Sequence, residues 1–192
     1  MEQDLGGEKM IRERIRKWLG FEKEEEATIK VKYFSVVYIE DPLEYTGDWV
    51  DVRACEGVQY FHNQGKSWTD AEEKVSPDGR PYIDLYPNEL VKIPLGFALK
   101  LPENHEAIMK VRSSTSKNTG LLMATSGVID EGYCGPQDEW FAVLYSTRPE
   151  RLYLGERICQ FRIQKKQPKI NFEEVTEFTG PNRGGHGSTG RF

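Results

Sequence analysis

Four short stretches of the chain carry side chains whose types and spacing could do chemistry. In SGVIDEGYCG, Val128 and Ile129 lead into Asp130 and a turn bearing Tyr133, with Gly127, Gly132 and Gly135 around it. Glycines let backbone polar groups approach a planar ligand, and a carboxylate and an aromatic ring then stand at the tip of what reads as a hairpin. The same residues also suit a plain hairpin, with Asp130 as a turn residue and Tyr133 as core. In VRSSTSKNTG, Arg112 leaves an apolar strand and is followed at once by Ser113, Ser114, Thr115 and Ser116. A guanidinium fork beside hydroxyls and open backbone N–H groups makes a phosphate clamp, and a hydroxyl-rich surface turn is the plainer alternative.

GDWVDVRA puts Asp51 in a strand-like stretch with Arg53 two residues on, hence on the same face. Such a carboxylate suits a hydrated magnesium ion, which keeps its waters and takes few protein ligands, or an intrastrand ion pair. In LGERICQFRI the neutral amide of Gln160 interrupts the apolar positions Ile158 and Phe161, so it is expected to be committed to a hydrogen bond with backbone or ligand. The chain closes on the glycine-rich NRGGHGSTGRF, which reads as a frayed tail, an RGG-type nucleic-acid arm or a strap that orders around a ligand. A formal net charge of −5 and a single RGG argue against the nucleic-acid arm, because phosphate neutralisation needs a basic face.

The elements that must position these residues read as β. Runs such as IKVKYFSVVYI, WVDVRA, LVKIPLGFALKL, AIMKVR, WFAVLY, RLYL and RICQFRIQ are rich in β-branched and aromatic residues, with Gly, Pro, Asn and Asp between them. That pattern predicts an all-β sandwich or barrel, and the absence of strand–helix alternation excludes a doubly wound nucleotide fold. Residues 57–85 are polar and turn-rich, which predicts a long excursion from the β body. Residues 8–20 place Ile11, Ile15, Trp18 and Leu19 on one helical face, predicting an amphipathic helix that docks on the body or a partner subunit. The predicted organisation is therefore 1–28 as helix and acidic linker, 29–178 as the β domain, and 179–192 as the glycine-rich end.

With 192 residues, 38% hydrophobic and 30% charged, the chain has the composition of one globular domain rather than of disorder. It has neither a bilayer-length apolar run nor a signal segment, so a cytoplasmic protein is expected. Cys55, Cys134 and Cys159 lie far apart without a CxxC pair, as expected of reduced thiols. His62, His105 and His186 show no metal-ligand spacing.

Taken in order, the motifs TGDWVDVRA, RSSTSKNTG, GVIDEGYCG, GERICQ and RGGHGSTG resemble the five motifs of the trimeric dUTP diphosphatase (dUTPase) family, over roughly residues 29–192. The resemblance implies a distorted jelly-roll subunit, a homotrimer with three shared sites, and magnesium-dependent cleavage of dUTP to dUMP and diphosphate. Carried over by position, Asp130 would orient the attacking water and contact the sugar 3′-hydroxyl, and Tyr133 would lie against the deoxyribose. Backbone at Gly127, Val128 and Ile129 would read the uracil edge. Arg112, Ser113, Ser114 and Gln160 would contact the phosphates, and Asp51 would place Mg2+ through water. The last motif would close as a strap, with His186 and Gly187 over the base and Arg183, Ser188 and Thr189 near the terminal phosphates. Ordering glycines costs on the order of 1–2 kcal/mol per residue, which a polyanionic ligand can offset through charge-assisted contacts.

The chain departs from the family's usual form at several places. His186 stands where phenylalanine is usual, Ser114 where glycine is common, and Cys134 where arginine is frequent. A related dCTP deaminase, or a bifunctional enzyme, would need a glutamate facing the base after the third motif. Glu139 falls one position away, which predicts that its side chain points to the other sheet face. A regulatory, protein-interaction role on the same fold is the reading from a different class.

Overall fold

The computed structural model describes residues 28–45, 47–62 and 67–181. The helix expected at 8–20 and the strap residues Arg183, His186, Gly187, Ser188 and Thr189 lie outside them. In chain order the described elements are β1 (Lys30–Tyr33), α1 (Val37–Glu40), β2 (Val50–Arg53), β3 (Gln59–His62), β4 (Ser67–Asp70), β5 (Lys74–Val75), β6 (Pro81–Leu85), β7 (Glu89–Pro94) and β8 (Phe97–Lys100). They continue with β9 (His105–Val111), α2 (Thr115–Thr119), β10 (Leu121–Met123), β11 (Gly127–Asp130), β12 (Phe141–Ser146), β13 (Glu150–Tyr153) and β14 (Arg157–Lys165).

Every strand pairing among them is antiparallel. One sheet runs β10-β12-β7-β3-β4 and a second β11-β9-β14-β2, with smaller sheets β13-β6-β5 and β1-β8. The body is all-β, as the alternating pattern predicts, and jelly-roll-like, as the family resemblance implies. Alternation sends Val91, Ile93, Ala142 and Leu144 of the first sheet, and Ala107, Met109, Cys159 and Phe161 of the second, into one core. Trp140 is at its centre, with ring centroids 5.3 Å from Phe97 and 5.1 Å from Phe161. Burial pushes the Cys55 and Cys159 thiols up to about 12, as suits unreactive core cysteines.

Two expectations about elements need correction. The segment 57–85 is not an excursion: β3 lies inside the five-stranded sheet against β7, β6 pairs with β13, and Val58, Tyr60, Ile83 and Leu85 are buried. Its polar letters sit on the opposite faces and in the turns between, which hides the strands in a composition count. The run IKVKYFSVVYI, read as strand throughout, ends its strand at Tyr33 and turns into α1. Gly96 O accepts the Phe34 N–H at 2.8 Å, and Tyr38 packs stacked on Tyr33 and edge-on to Phe97. Burying that ring outweighs the β propensity of Val36 and Val37.

Candidate active site

The third motif builds a cavity. Among the described residues β11 is the edge of its sheet: Gly127 to Asp130 pair with Met109 to Glu106 of β9 on one side only. The other side borders a cavity of about 350 Å³, large enough for a small ligand. An edge strand presents backbone N–H and C=O groups outward, so this wall can read a planar ring by hydrogen bonds without any side chain. Thr125 and Ser126 continue the wall toward β10. Met109, Met123, Trp140 and Val143 close the apolar side, and Phe141 and Tyr133 complete the rim.

The glycine at the head of β11 is there for space. A Cβ on Gly127 would lie 2.8 Å from Met109 Cβ, 2.9 Å from Met123 Cε and 3.0 Å from Met109 O, closer than packed atoms allow. Downstream, the segment is not the hairpin expected from its letters. β11 pairs with β9, and β12 joins the other sheet, so residues 131–140 cross between sheets around the cavity mouth. Asp130 O accepts the Tyr133 N–H at 3.0 Å, and the Tyr133 hydroxyl donates to Glu139 O at 3.0 Å. The Tyr133 ring is thereby braced at both ends yet remains 37% exposed, an apolar face at the rim.

Asp130 ends β11 with its side chain 72% exposed. Lys166 Nζ lies 2.5 Å from its Oδ1, and that contact holds its carboxyl below the usual carboxylate range. Glu139 does not line the cavity. Its Oε1 accepts the Gly96 N–H at 2.9 Å, and burial raises its carboxyl above the usual range. The side chain therefore faces away from the cavity, although Glu139 precedes β12 and lies in no strand.

The second cluster lies at the other end of the same sheet. Gln160 of β14 is in register with Asp51 of β2 and Lys110 of β9. Asp51 does not pair with Arg53: its Oδ1 is 2.9 Å from Arg112 Nε and its Oδ2 3.5 Å from Arg157 Nη1. Arg53 turns instead to Asp41 and to Gly155 O. Arg112 N–H donates to Ile158 O at 3.1 Å, and the Thr115 hydroxyl donates to the same carbonyl at 2.6 Å. These two bonds staple the start of α2 to β14 and hold Arg112 over Asp51. The hydroxyl-rich stretch is thus a single helical turn, with Ser113 exposed and Ser114 half-buried at its head.

The structure gathers Gly127, Val128, Ile129, Asp130 and Tyr133 into one place, and Asp51, Arg112, Ser113, Ser114 and Gln160 into another. From Asp130 to Asp51 the register runs four residues along the strands and three strand spacings across, a Cα separation on the order of 20 Å. Sequence reading missed the cavity's apolar walls, Met109, Met123, Trp140 and Phe141, because such residues at strand spacing look like core. It also missed Arg157, although the fourth motif contains it, and Lys166, for which no local signal exists.

Residues 44–166 match the dCTP deaminase-like family. The SPbeta prophage-derived deoxyuridine 5′-triphosphate nucleotidohydrolase YosS of Bacillus subtilis (strain 168) is 39% identical over 163 residues, covering 84% of this chain and 97% of that protein. The chain belongs to the dUTPase family. A second family member, the deoxyuridine 5′-triphosphate nucleotidohydrolase of a Thermoanaerobacter species, is 34% identical over 68% of this chain and 86% of its own length. The dUTPase fold recurs in a solved Staphylococcus bacteriophage 80alpha dUTPase with dUPNHPP, with a TM-score of 0.58 and 21% identity over 86% of this chain and 99% of that one. It recurs again in a mutant dUTPase from phage phi11 of S. aureus, a structure concerned with coordination of a structural Mg(II) ion. That comparison has a TM-score of 0.56 and 16% identity over 79% of this chain and 99% of the other. Among the described residues, no helix is long and apolar enough to cross a membrane.

Proposed function

We infer that this protein is a dUTP nucleotidohydrolase. Water attacks the α-phosphorus, the bond to the bridging oxygen breaks, and diphosphate leaves dUMP behind. The observation that carries the reading is the cavity on the free edge of β11, with Asp130 and Tyr133 at its mouth, in a chain 39% identical to a dUTP nucleotidohydrolase along nearly all of that protein's length. The backbone of Gly127, Val128 and Ile129 binds the uracil edge. The Tyr133 ring packs on the deoxyribose and excludes a 2′-hydroxyl. Asp130 places the attacking water. A carboxylate held below its usual range is a poor base, so its contribution is positional.

At the far cluster, Arg112, Ser113, Ser114 and Gln160 bind phosphate oxygens, and the strap residues Arg183, His186, Gly187, Ser188 and Thr189 close over the nucleotide. Asp51 fits Mg2+ only in the outer shell. Both its oxygens already face guanidinium groups, and no cluster of three or more ligating side chains exists among the described residues. Magnesium tolerates this arrangement, since it binds chiefly through waters and substrate phosphates, and it supplies charge neutralisation there.

The separation of the two clusters supports a homotrimer with shared sites. Arginine and aspartate side chains together reach roughly 10 Å, well short of the span between Asp130 and the Arg112 cluster. One subunit's cavity is therefore completed by another's phosphate clamp. Purified protein assayed with dUTP, dCTP and dTTP should release diphosphate from dUTP alone. Ammonia from dCTP, or no turnover of any of the three, would overturn the assignment. For the shared site, Asp130→Asn and Arg112→Ala subunits refolded together should regain activity at about a quarter of sites, the random-mixing value for a closed ring. No recovery would place each site within one chain.

A further inference from the structure

We propose that Lys166 is the positioning residue for Asp130, pinning one carboxylate oxygen so that the other is presented to the attacking water. Lys166 is the first residue after β14, and its N–H donates to Asn104 O at 2.9 Å, which ties its backbone to the turn before β9. From that anchor the ammonium lies 2.5 Å from Asp130 Oδ1 and 3.3 Å from Glu131 Oε1. Glu131 is itself held, because its Oε2 accepts the His105 N–H at 3.3 Å. One ammonium thus bridges two neighbouring carboxylates from an element that is anchored independently of both.

The contact matters because Asp130 is exposed. A carboxylate on an open strand end rotates about both side-chain torsions, and only a fraction of its rotamers point an oxygen at a given water. Burial does not restrict this side chain; the Lys166 ammonium does, together with the backbone N–H groups of Glu131 and Gly132 that hydrogen-bond its carboxylate. Lys166 occupies Oδ1 and leaves Oδ2 for the reaction. The groups around Asp130 are Glu131 beside it, His105 and Glu106 on β9, and Gln164 and Lys165 on β14. Glu106 faces Asp130 in register and accepts from Gln164 Nε2 at 2.9 Å, so its own charge is partly engaged. The Asp130 carboxyl is lowered, the Lys166 contact being the largest cause and the Glu131 and Gly132 backbone N–H groups adding to it.

The inference rests on the role given to Asp130 in dUTP hydrolysis, and the test separates the two. Full-length wild type, Lys166→Met and Lys166→Arg are compared for kcat and KM with dUTP and magnesium across pH, and the Asp130 carboxyl is titrated by 13C NMR without substrate, its signal identified by its absence in Asp130→Asn. Lys166→Met should lower kcat about tenfold, less than the roughly 10²-fold cost of misplacing a reacting group, with KM nearly unchanged. Its acidic limb and its carboxyl titration should both move to higher pH, since the cation that favours the ionised form is gone. Lys166→Arg should restore most of both. Lys166→Gln replaces the Met variant should that one fail to fold. Unmoved limb and titration in an active enzyme would overturn this inference alone. A wild type inert toward dUTP would sink the functional reading, and this inference with it.

Discussion

On the proposed function, the two ends of the β9–β14 sheet meet different recognition problems by different means. At the β11 end the cavity is walled by backbone on a strand edge and by apolar side chains. Trp140 is only 1% exposed, and Gly127 tolerates no added carbon. At the β2 end the surface carries charged side chains on half-exposed stems, where Asp51 is shared between Arg112 and Arg157. A base is read by shape and fixed hydrogen-bond direction, which needs rigidity. A triphosphate is read by charge, which tolerates flexible donors and is screened by salt. The difference teaches that substitutions at the first end should act sterically and all at once, and those at the second end gradually and with a salt dependence.

The largest expected effect belongs to the one carboxylate between these modes. Asp130→Asn should lower kcat by about 10³-fold while circular dichroism and gel filtration match the wild type, since general-base and water-placing groups contribute on that scale. Normal turnover in that variant would break the comparison at its centre. Truncation before Arg183 should leave the assembly intact and cost about 10²-fold in kcat/KM, because charge-assisted contacts to the phosphates are lost. Full rate in the shortened protein would remove the strap from the mechanism.

Gly127→Ala should raise KM for dUTP about tenfold and lower the melting temperature, because overpacking typically costs about 1–3 kcal/mol. An alanine variant with unchanged KM and melting behaviour would show that the β11 edge is not rigid. The smallest effect should come from Arg157→Met. Half-exposed ion pairs contribute little, so kcat/KM should fall only about threefold, and less at high salt. A loss that is large and independent of salt would mean that the second end is as preorganised as the first.

Below neutral pH the Asp130 pair sets a direction. Its folded carboxyl is lowered by Lys166, so the ion pair favours the folded state above the ordinary aspartate range and that contribution disappears as pH falls through the lowered value. Activity should accordingly persist to lower pH than an unassisted aspartate would permit.

Much of the proposed site is legible in the letters, because the groups assigned to the nucleotide occur in short, contiguous motifs. Asp130 and Tyr133, or Arg112 with its serines, are neighbours in sequence for the same reason that they are neighbours in space. The cavity walls were not legible. Met109, Met123 and the adjacent pair Trp140 and Phe141 come from three separate parts of the chain, and apolar letters of this kind read as ordinary strand residues. The strands within 57–85 were hidden because their buried positions, Val58, Tyr60, Ile83 and Leu85, are diluted by polar turns.

By itself the sequence determined the all-β class, through period-two alternation, and the chemical inventory, through motifs whose glycines, carboxylates and arginines have few other uses together. Tertiary structure alone decided which partners those groups take. Asp51 turned from Arg53 to Arg112 and Arg157, and Asp130 found Lys166 thirty-six residues away. Such choices depend on sheet register, in which residues distant along the chain meet because their strands pair, and no local pattern encodes that meeting.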